Sequence, residues 1–391
     1  MTNWLILILS CSEQNLDFSF SNNSEDFGLF EPPRFPGDLQ YQGDTFLHET
    51  QAFHMFAGSG VLVADFNGDD WLDIFIPTAK DDELYLGGAN RSFQSAHQWI
   101  TYESCLSVGG AVADYDGDGD LDIYLAVTQG QDLLLRNDGD QFTDVTLDSH
   151  INLIRSDSTA VSWADIDLDG DLDLAVSGHK DVPQGSTNES IPVGDPNMVY
   201  KNMGNGKFQP IELPILDRES RTLAITWIQH TPGERPYLYI VNDSMGAPLD
   251  QPTPNVLYGW ENDRLIIMPE DSGLEVSMSG MGFAMADINH DHLPDLLITN
   301  EGPPSLFVSI DEESWYDDAL SKGLGELQED QYFSWGASII DFDNDNDLDI
   351  LFSGKTCPGT EGESVLLYEN KNDTLRQAKR IIGRLLSISQ K

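Results

Sequence analysis

Asp114-Tyr115-Asp116-Gly117-Asp118-Gly119-Asp120-Leu121-Asp122 places five carboxylates in nine residues, and the chain repeats the pattern. The other copies start at Asp65 (DFNGDDWLD), Asp165 (DIDLDGDLD), Asp287 (DINHDHLPD) and Asp341 (DFDNDNDLD). Aspartate or asparagine stands at loop positions 1, 3, 5 and 9 of every copy. So many like charges in a tight turn repel one another and call for a counter-charge. Calcium supplies one, taking six to eight oxygen ligands in a flexible geometry at about 2.3–2.6 Å. A single copy would read as a solvated acidic turn; five in register point to bound cations.

The repeat extends beyond the loop. Before each copy stands a strand-like octet: GSGVLVAD, SVGGAVAD, STAVSWAD, GMGFAMAD and SWGASIID. Its first residue is always Gly or Ser and its third always small: Gly60, Gly109, Ala160, Gly282 or Gly336. Small residues fixed within a strand predict close approach of another backbone. After each loop runs an apolar strand (DIFIP, DIYLAV, DLAVS, DLLIT, DILFS), and then a hairpin such as LLLRNDGDQF (133–142) or VYKNMGNGKF (199–208). A sixth, degenerate unit has Thr222–Gln229 as first strand, Tyr237–Asn242 as second and a hairpin beginning at Val256-Leu257-Tyr258. Its ligand positions read Gln229, Thr231, Gly233, Arg235 and Tyr237, so it keeps the scaffold without the metal. Loops start at 65, 114, 165, 229, 287 and 341, which gives four short strands per 49 to 64 residues. That period predicts an all-β fold, a β-propeller of four-stranded antiparallel blades. Six repeats are recognisable, and six or seven blades fit. Residues near 16–55 and 376–391 would close the ring by sharing a sheet or build an unmarked seventh blade.

An EF-hand would need Glu at loop position 12 between helices. Ile76, Leu125, Val176, Ile298 and Phe352 stand there, and strands flank the loop. The D-x-[DN]-x-D-x-x-x-D loop behind a Gly-rich strand instead resembles the FG-GAP/VCBS repeat family, which includes integrin α-subunit propellers. The Trp-Gly-Ala-Ser and Met-Gly-Phe-Ala-Met-Ala-Asp stretches are similar to cartilage-acidic-protein-type bacterial members. The resemblance covers about residues 45–380. It implies calcium, about five ions, in the turn joining the first two strands of each marked blade. The side-chain ligands it implies are Asp65, Asn67, Asp69 and Asp73; Asp114, Asp116, Asp118 and Asp122; Asp165, Asp167, Asp169 and Asp173; Asp287, Asn289, Asp291 and Asp295; and Asp341, Asp343, Asp345 and Asp349. The position-7 carbonyls of Trp71, Asp120, Asp171, Leu293 and Asp347 would complete the shells.

The domain plan is a signal- or lipobox-like segment at 1–11, a flexible tether at 12–43, the propeller at 44–380 and a basic tail or closing strand at 381–391. Trp4–Leu9 is a short apolar run, and Ile8-Leu9-Ser10-Cys11 resembles the bacterial lipoprotein box, whose cysteine is acylated. A shortened ordinary signal peptide accounts for the same run. Both readings export the protein to the periplasm, outer membrane or exterior, with membrane attachment only through Cys11. With 67 acidic against 20 basic residues, acids still outnumber bases when the loops are set aside. This excludes nucleic acid, whose phosphates need Lys and Arg. Cys105 and Cys357 lie in the second and sixth units, which leaves a disulfide between them a minor expectation.

In a four-stranded meander all five acidic loops fall on one face. The second turns fall on the other and vary widely, with long ones at 178–196, 243–254 and 354–364 and a short one at 78–83. Varied loops on a regular scaffold are where recognition resides. The expected function is therefore a calcium-stabilised cell-surface or secreted adhesion module, binding a protein or glycan on the face opposite the metals. The eight histidines stand in no catalytic frame, and no enzyme activity is expected. His290 and His292, at loop positions 4 and 6, are expected to face solvent. The alternative is a carbohydrate-active lyase or hydrolase, with Trp99, Trp227, Trp260, Trp315 or Trp335 stacking on sugars. Core packing is the plainer reading for Trp227 and Trp335.

Overall fold

The computed structural model describes residues 60–382, apart from 79–80, 90–91, 104, 129, 152–156, 180–195, 215–220, 245–252, 325–331, 357–363 and 372–373. The 1–11 segment with Cys11, the 12–43 tether, Cys357 and most of the long second turns lie outside the described residues.

Six four-stranded antiparallel sheets, each in sequential strand order, form a six-bladed β-propeller. The blades occupy residues 62–95, 107–144, 161–211, 222–267, 283–317 and 332–382. Each sheet comes from one stretch of chain, and the degenerate unit is a complete fourth blade. The basic stretch from 376 reads from sequence as an edge strand or docked helix on the acidic body, a closing strand or part of a seventh blade. Leu375–Ile382 pairs with Ser364–Asn370 as the outer, fourth strand of blade 6, an edge strand that carries the propeller past 380. The basic residues there therefore sit on an outer edge, where Lys and Arg discourage further strand pairing.

Second strands such as Asp122–Val127 and Asp173–Val176 are buried at every residue. They lie mid-sheet with a neighbouring blade on each face, which is why they read as unbroken apolar runs rather than alternating ones. Outer fourth strands are short and exposed, as at Gln94–Ser95. Core clusters form between consecutive blades. Phe66, Phe75 and Leu84 of the first blade pack with Ile123, Leu125 and Phe142 of the second, and comparable clusters join blades 2 to 3, 3 to 4, 4 to 5 and 5 to 6.

First strands meet along the inner edge. Gly60 N–H donates to Val108 O at 3.0 Å, and Thr159 Oγ1 donates to Thr222 O at 2.8 Å. A Cβ on Gly109 would come within 2.9 Å of Thr159 O, and one on Gly282 within 2.0 Å of Trp335 O. The small third residue is the predicted close approach of backbones. The Gly-or-Ser first residue has a second reason. Ser107 Oγ donates to Asp82 Oδ2 of blade 1 at 3.0 Å, and Ser158 Oγ to Asp132 Oδ2 of blade 2 at 2.7 Å. These serines tie each blade to the one before it.

Candidate metal centres in the acidic loops

All five acidic loops share one backbone path. Position 4 is left-handed in each (Gly68, Gly117, Leu168, His290, Asn344), and so is position 6 (Asp70, Gly119, Gly170, His292, Asn346). Gly, Asn and Asp tolerate this region, whereas a branched apolar side chain resists it, so Leu168 at φ 65° is strained. The path turns successive N–H groups inward onto carboxylates. The position-1 aspartate accepts from positions 5 and 6: Asp114 takes Asp118 N at 3.1 Å and Gly119 N at 3.0 Å, and Asp341 takes Asp345 N and Asn346 N at 3.1 and 3.0 Å. The position-5 aspartate accepts from position 7, as Asp120 N donates to Asp118 Oδ1 at 2.9 Å. Asp65, Asp165 and Asp287 are held in the same way, and so are Asp69, Asp169, Asp291 and Asp345.

Position 9 has a second task that the sequence did not reveal. Asp73, Asp122, Asp173, Asp295 and Asp349 are all buried. In each, Oδ2 accepts the N–H of loop position 2, as from Tyr115 at 3.2 Å and Ile166 at 2.8 Å. Oδ1 accepts an N–H from the end of the third strand: Gly87 at 2.8 Å, Asn137 at 2.8 Å, Asn202 at 2.7 Å, Ser309 at 2.9 Å and Asn370 at 2.7 Å. The aspartate thereby fastens loop to sheet. Burial pushes its carboxyl up, to about 7 at Asp122 and about 6 at Asp173, Asp295 and Asp349, although the two N–H donors pull the other way.

Loop position 2 in turn reaches the next blade. Phe66 meets Phe142 edge-on at 5.6 Å, and Tyr115 lies 5.9 Å from Phe208. The carbonyl behind each accepts from an asparagine of that blade, with Asn137 Nδ2 to Phe66 O and Asn202 Nδ2 to Tyr115 O both at 2.7 Å.

Positions 1, 3 and 9 converge. One carboxylate oxygen from each of Asp114, Asp116 and Asp122 lies within 4.8 Å of the others; the same holds for Asp165, Asp167 and Asp173, and for Asp341, Asp343 and Asp349. Position 3 is the least satisfied member. Asp167 Oδ1 and Asp343 Oδ1 are buried with no hydrogen-bond partner. Burial first, and then the neighbouring position-5 carboxylate, holds Asp116 and Asp343 above the usual carboxylate range. Converging oxygens, one of them unpaired, fit a hard cation. In blades 1 and 5 the position-3 residue is Asn67 or Asn289, whose amide nitrogen donates to Asp69 or Asp291 at 3.0 and 2.9 Å. These two loops have turned part of their acceptor set on themselves. The position-7 residues Trp71, Asp120, Asp171, Leu293 and Asp347 enter through the backbone N–H groups given above.

Blade 4 keeps the turn and changes its chemistry. Arg235 lies over the Trp260 ring at 4.8 Å and pairs with Asp263 at 2.9 Å. His230 takes position 2 and packs on Trp315 at 4.8 Å, with both ring nitrogens buried and without a hydrogen-bond partner. His290 and His292 are exposed. Trp99, Trp227 and Trp315 are core residues, which removes them as sugar platforms, while Trp260 and Trp335 are half-buried. Cys105 is a free thiol.

Residues 65–125 and 114–176 match the FG-GAP-like repeat, each stretch running from one acidic loop into the second strand after the next. No curated protein matches the sequence significantly. Similar solved structures include an Agrocybe aegerita lectin described as recognising non-reducing terminal N-acetylglucosamine. It is 13% identical, with 83% of this chain and 80% of that one covered and a TM-score of 0.47. Another is BBS1N in complex with ARL6DN, soaked with lead, at 11% identity, 84% coverage of each chain and a TM-score of 0.45. The matched stretches hold the loops at 65, 114 and 165, and the loops at 287 and 341 fold in the same way, so the chain carries FG-GAP-like repeats within a six-bladed β-propeller.

Proposed function

We propose that the protein is an exported, calcium-stabilised binding module without catalytic activity. In this reading calcium sits in the acidic loops, and a protein or glycan is recognised on the opposite face. The observation that carries the metal half is the unpaired, buried Asp167 Oδ1 and Asp343 Oδ1, each among carboxylates gathered within 4.8 Å. Calcium would supply the positive charge that lets those oxygens stay ionised and close together. Positions 1, 3, 5 and 9 would hold it: Asp65, Asn67, Asp69 and Asp73 in blade 1 and their counterparts in blades 2, 3, 5 and 6. The chain's own N–H groups orient positions 1, 5 and 9 beforehand, so little ordering is left for the ion to drive.

The buried acids with raised carboxyls favour a scaffold role over acid–base work. Asp82 and position 9 are each turned onto donors of the fold rather than into a cleft. The recognition half rests on the disparity in second-turn length across blades. Melting of the full chain in chelator and in calcium tests the first half: a rise on adding calcium supports it, and coincident curves refute it. Protein pull-down and glycan-array binding by the full chain and by a 183–194 deletion test the second. Lost binding with an unchanged calcium response supports the division of faces, and retained binding refutes it.

A further inference from the structure

Lys201 sets the blade 3 loop apart from the other four. Its ammonium donates to Asp167 Oδ2 and lies 3.2 Å from Asp169 Oδ2, so it occupies the space between positions 3 and 5. The strand fixes it there. Lys201 immediately precedes Asn202, whose N–H donates to Asp173 Oδ1 at 2.7 Å, and its side chain is largely covered. The same hydrogen bond identifies the equivalent residue in each other blade: Leu86 before Gly87, Arg136 before Asn137, Val308 before Ser309 and Glu369 before Asn370. Two are apolar and one is an acid. Arg136 forms its ion pair with Asp138 at 2.8 Å and acts on Asp116 only from a distance. Among the described residues only Lys201 places a cationic group within ion-pair distance of a position-3 carboxylate.

We infer that Lys201 is a built-in counter-cation for the blade 3 loop and the residue that makes this loop the weakest of the three all-aspartate loops for a divalent ion. A divalent cation entering there must displace the ammonium from Asp167 and Asp169 and then bear its repulsion. In blade 6 the equivalent Glu369 adds negative charge, partly offset by Lys371 at 2.6 Å. One loop is thus stapled by a lysine regardless of calcium, while the others wait for the ion. The affinity ranking rests on the calcium reading above; the counter-cation role does not.

The test compares the full-length chain with Lys201→Met and with Lys371→Met, which removes a more exposed lysine whose ion pair is with Glu369 rather than with a loop carboxylate. Each is melted in excess chelator and titrated calorimetrically with calcium chloride. In chelator, Lys201→Met melts below the wild type and below Lys371→Met. In the titration one constant tightens by about tenfold or more relative to the wild type, the effect of removing a unit charge a few ångströms from the ion. These opposite signs, a looser apo protein with tighter calcium, are what a counter-cation produces and lost packing does not. Unchanged melting in chelator overturns the counter-cation, and a set of constants identical to the wild type's overturns the ranking. If the wild type takes up no calcium, the metal reading fails, and the chelator curves alone decide the role of Lys201.

Discussion

Position 9 and position 3 of one loop should respond differently to alanine, and blade 2 offers the cleanest pair. Asp122→Ala removes the acceptor of two buried N–H groups, Tyr115 N and Asn137 N. Each donor left unpaired costs about 1–3 kcal/mol, which gives about 2–6 kcal/mol together. Relief of a buried carboxylate whose pKa is pushed up to about 7 works in the opposite direction. The expected net loss is therefore in the lower part of that range, about 2–4 kcal/mol. Asp116→Ala leaves both hydrogen bonds in place and removes one ligand of the proposed ion. Its cost is at most the increment of one site, about 2.7 kcal/mol at calcium a hundredfold above the dissociation constant, and close to zero in chelator. Urea unfolding of both variants and the wild type, with chelator and with calcium, separates the effects. Asp122→Ala matching the wild type in chelator would refute the fastening role of position 9. Asp116→Ala losing as much in chelator as in calcium would show position 3 to be structural and the loop empty.

The chelated protein should also be acid-favoured at one inter-blade tie. Burial pushes the Asp82 carboxyl up to about 6, well above the usual carboxylate range, so the folded state binds its proton more tightly. The associated stability is complete below about pH 4 and is lost as pH rises through about 6, some 3 kcal/mol at about 1.4 kcal/mol per unit. Urea midpoints in chelator from pH 4 to 7 should fall along that window and fall less steeply in Asp82→Asn, where the raised position-9 acids still titrate; an equal slope in both would sink the assignment. Gly282→Ala places a Cβ within 2.0 Å of Trp335 O, so thermal melting should show a loss of at least about 2 kcal/mol. A neutral result would mean that blades 5 and 6 do not approach as closely as described.

Much of this architecture was legible because each blade repeats its own instructions. The octet, the loop and the apolar run placed the first two strands in every unit. The same frame recovered blade 4, where Gln229, Thr231 and Arg235 had replaced the acids. The rule of a small third residue was correctly read as backbone proximity. What stayed hidden depended on partners remote in the chain. Position 9 reads as one more ligand until Asn202 N, 29 residues on from Asp173, arrives beside it. Ser107 reads as merely small until Asp82 of the preceding blade accepts from it. Lys201 lies 34 residues from Asp167, and no local pattern announces their contact. One missed signal was local. Positions 4 and 6 are rich in Gly, Asn, Asp and His, the residues that tolerate left-handed backbone, and Leu168 is the exception.

That every sheet is drawn from one unbroken stretch bears on how the ring is made. Strand pairing joins near neighbours in the chain, so the entropy of loop closure is small at each step and grows slowly where turns lengthen. A blade can finish its hairpins while the next is still emerging from the ribosome. It then offers a waiting apolar flank, with Phe66 or Tyr115 as the knob, to the newcomer. Growth of this kind resembles laying staves one after another, with circular closure left as a single late event.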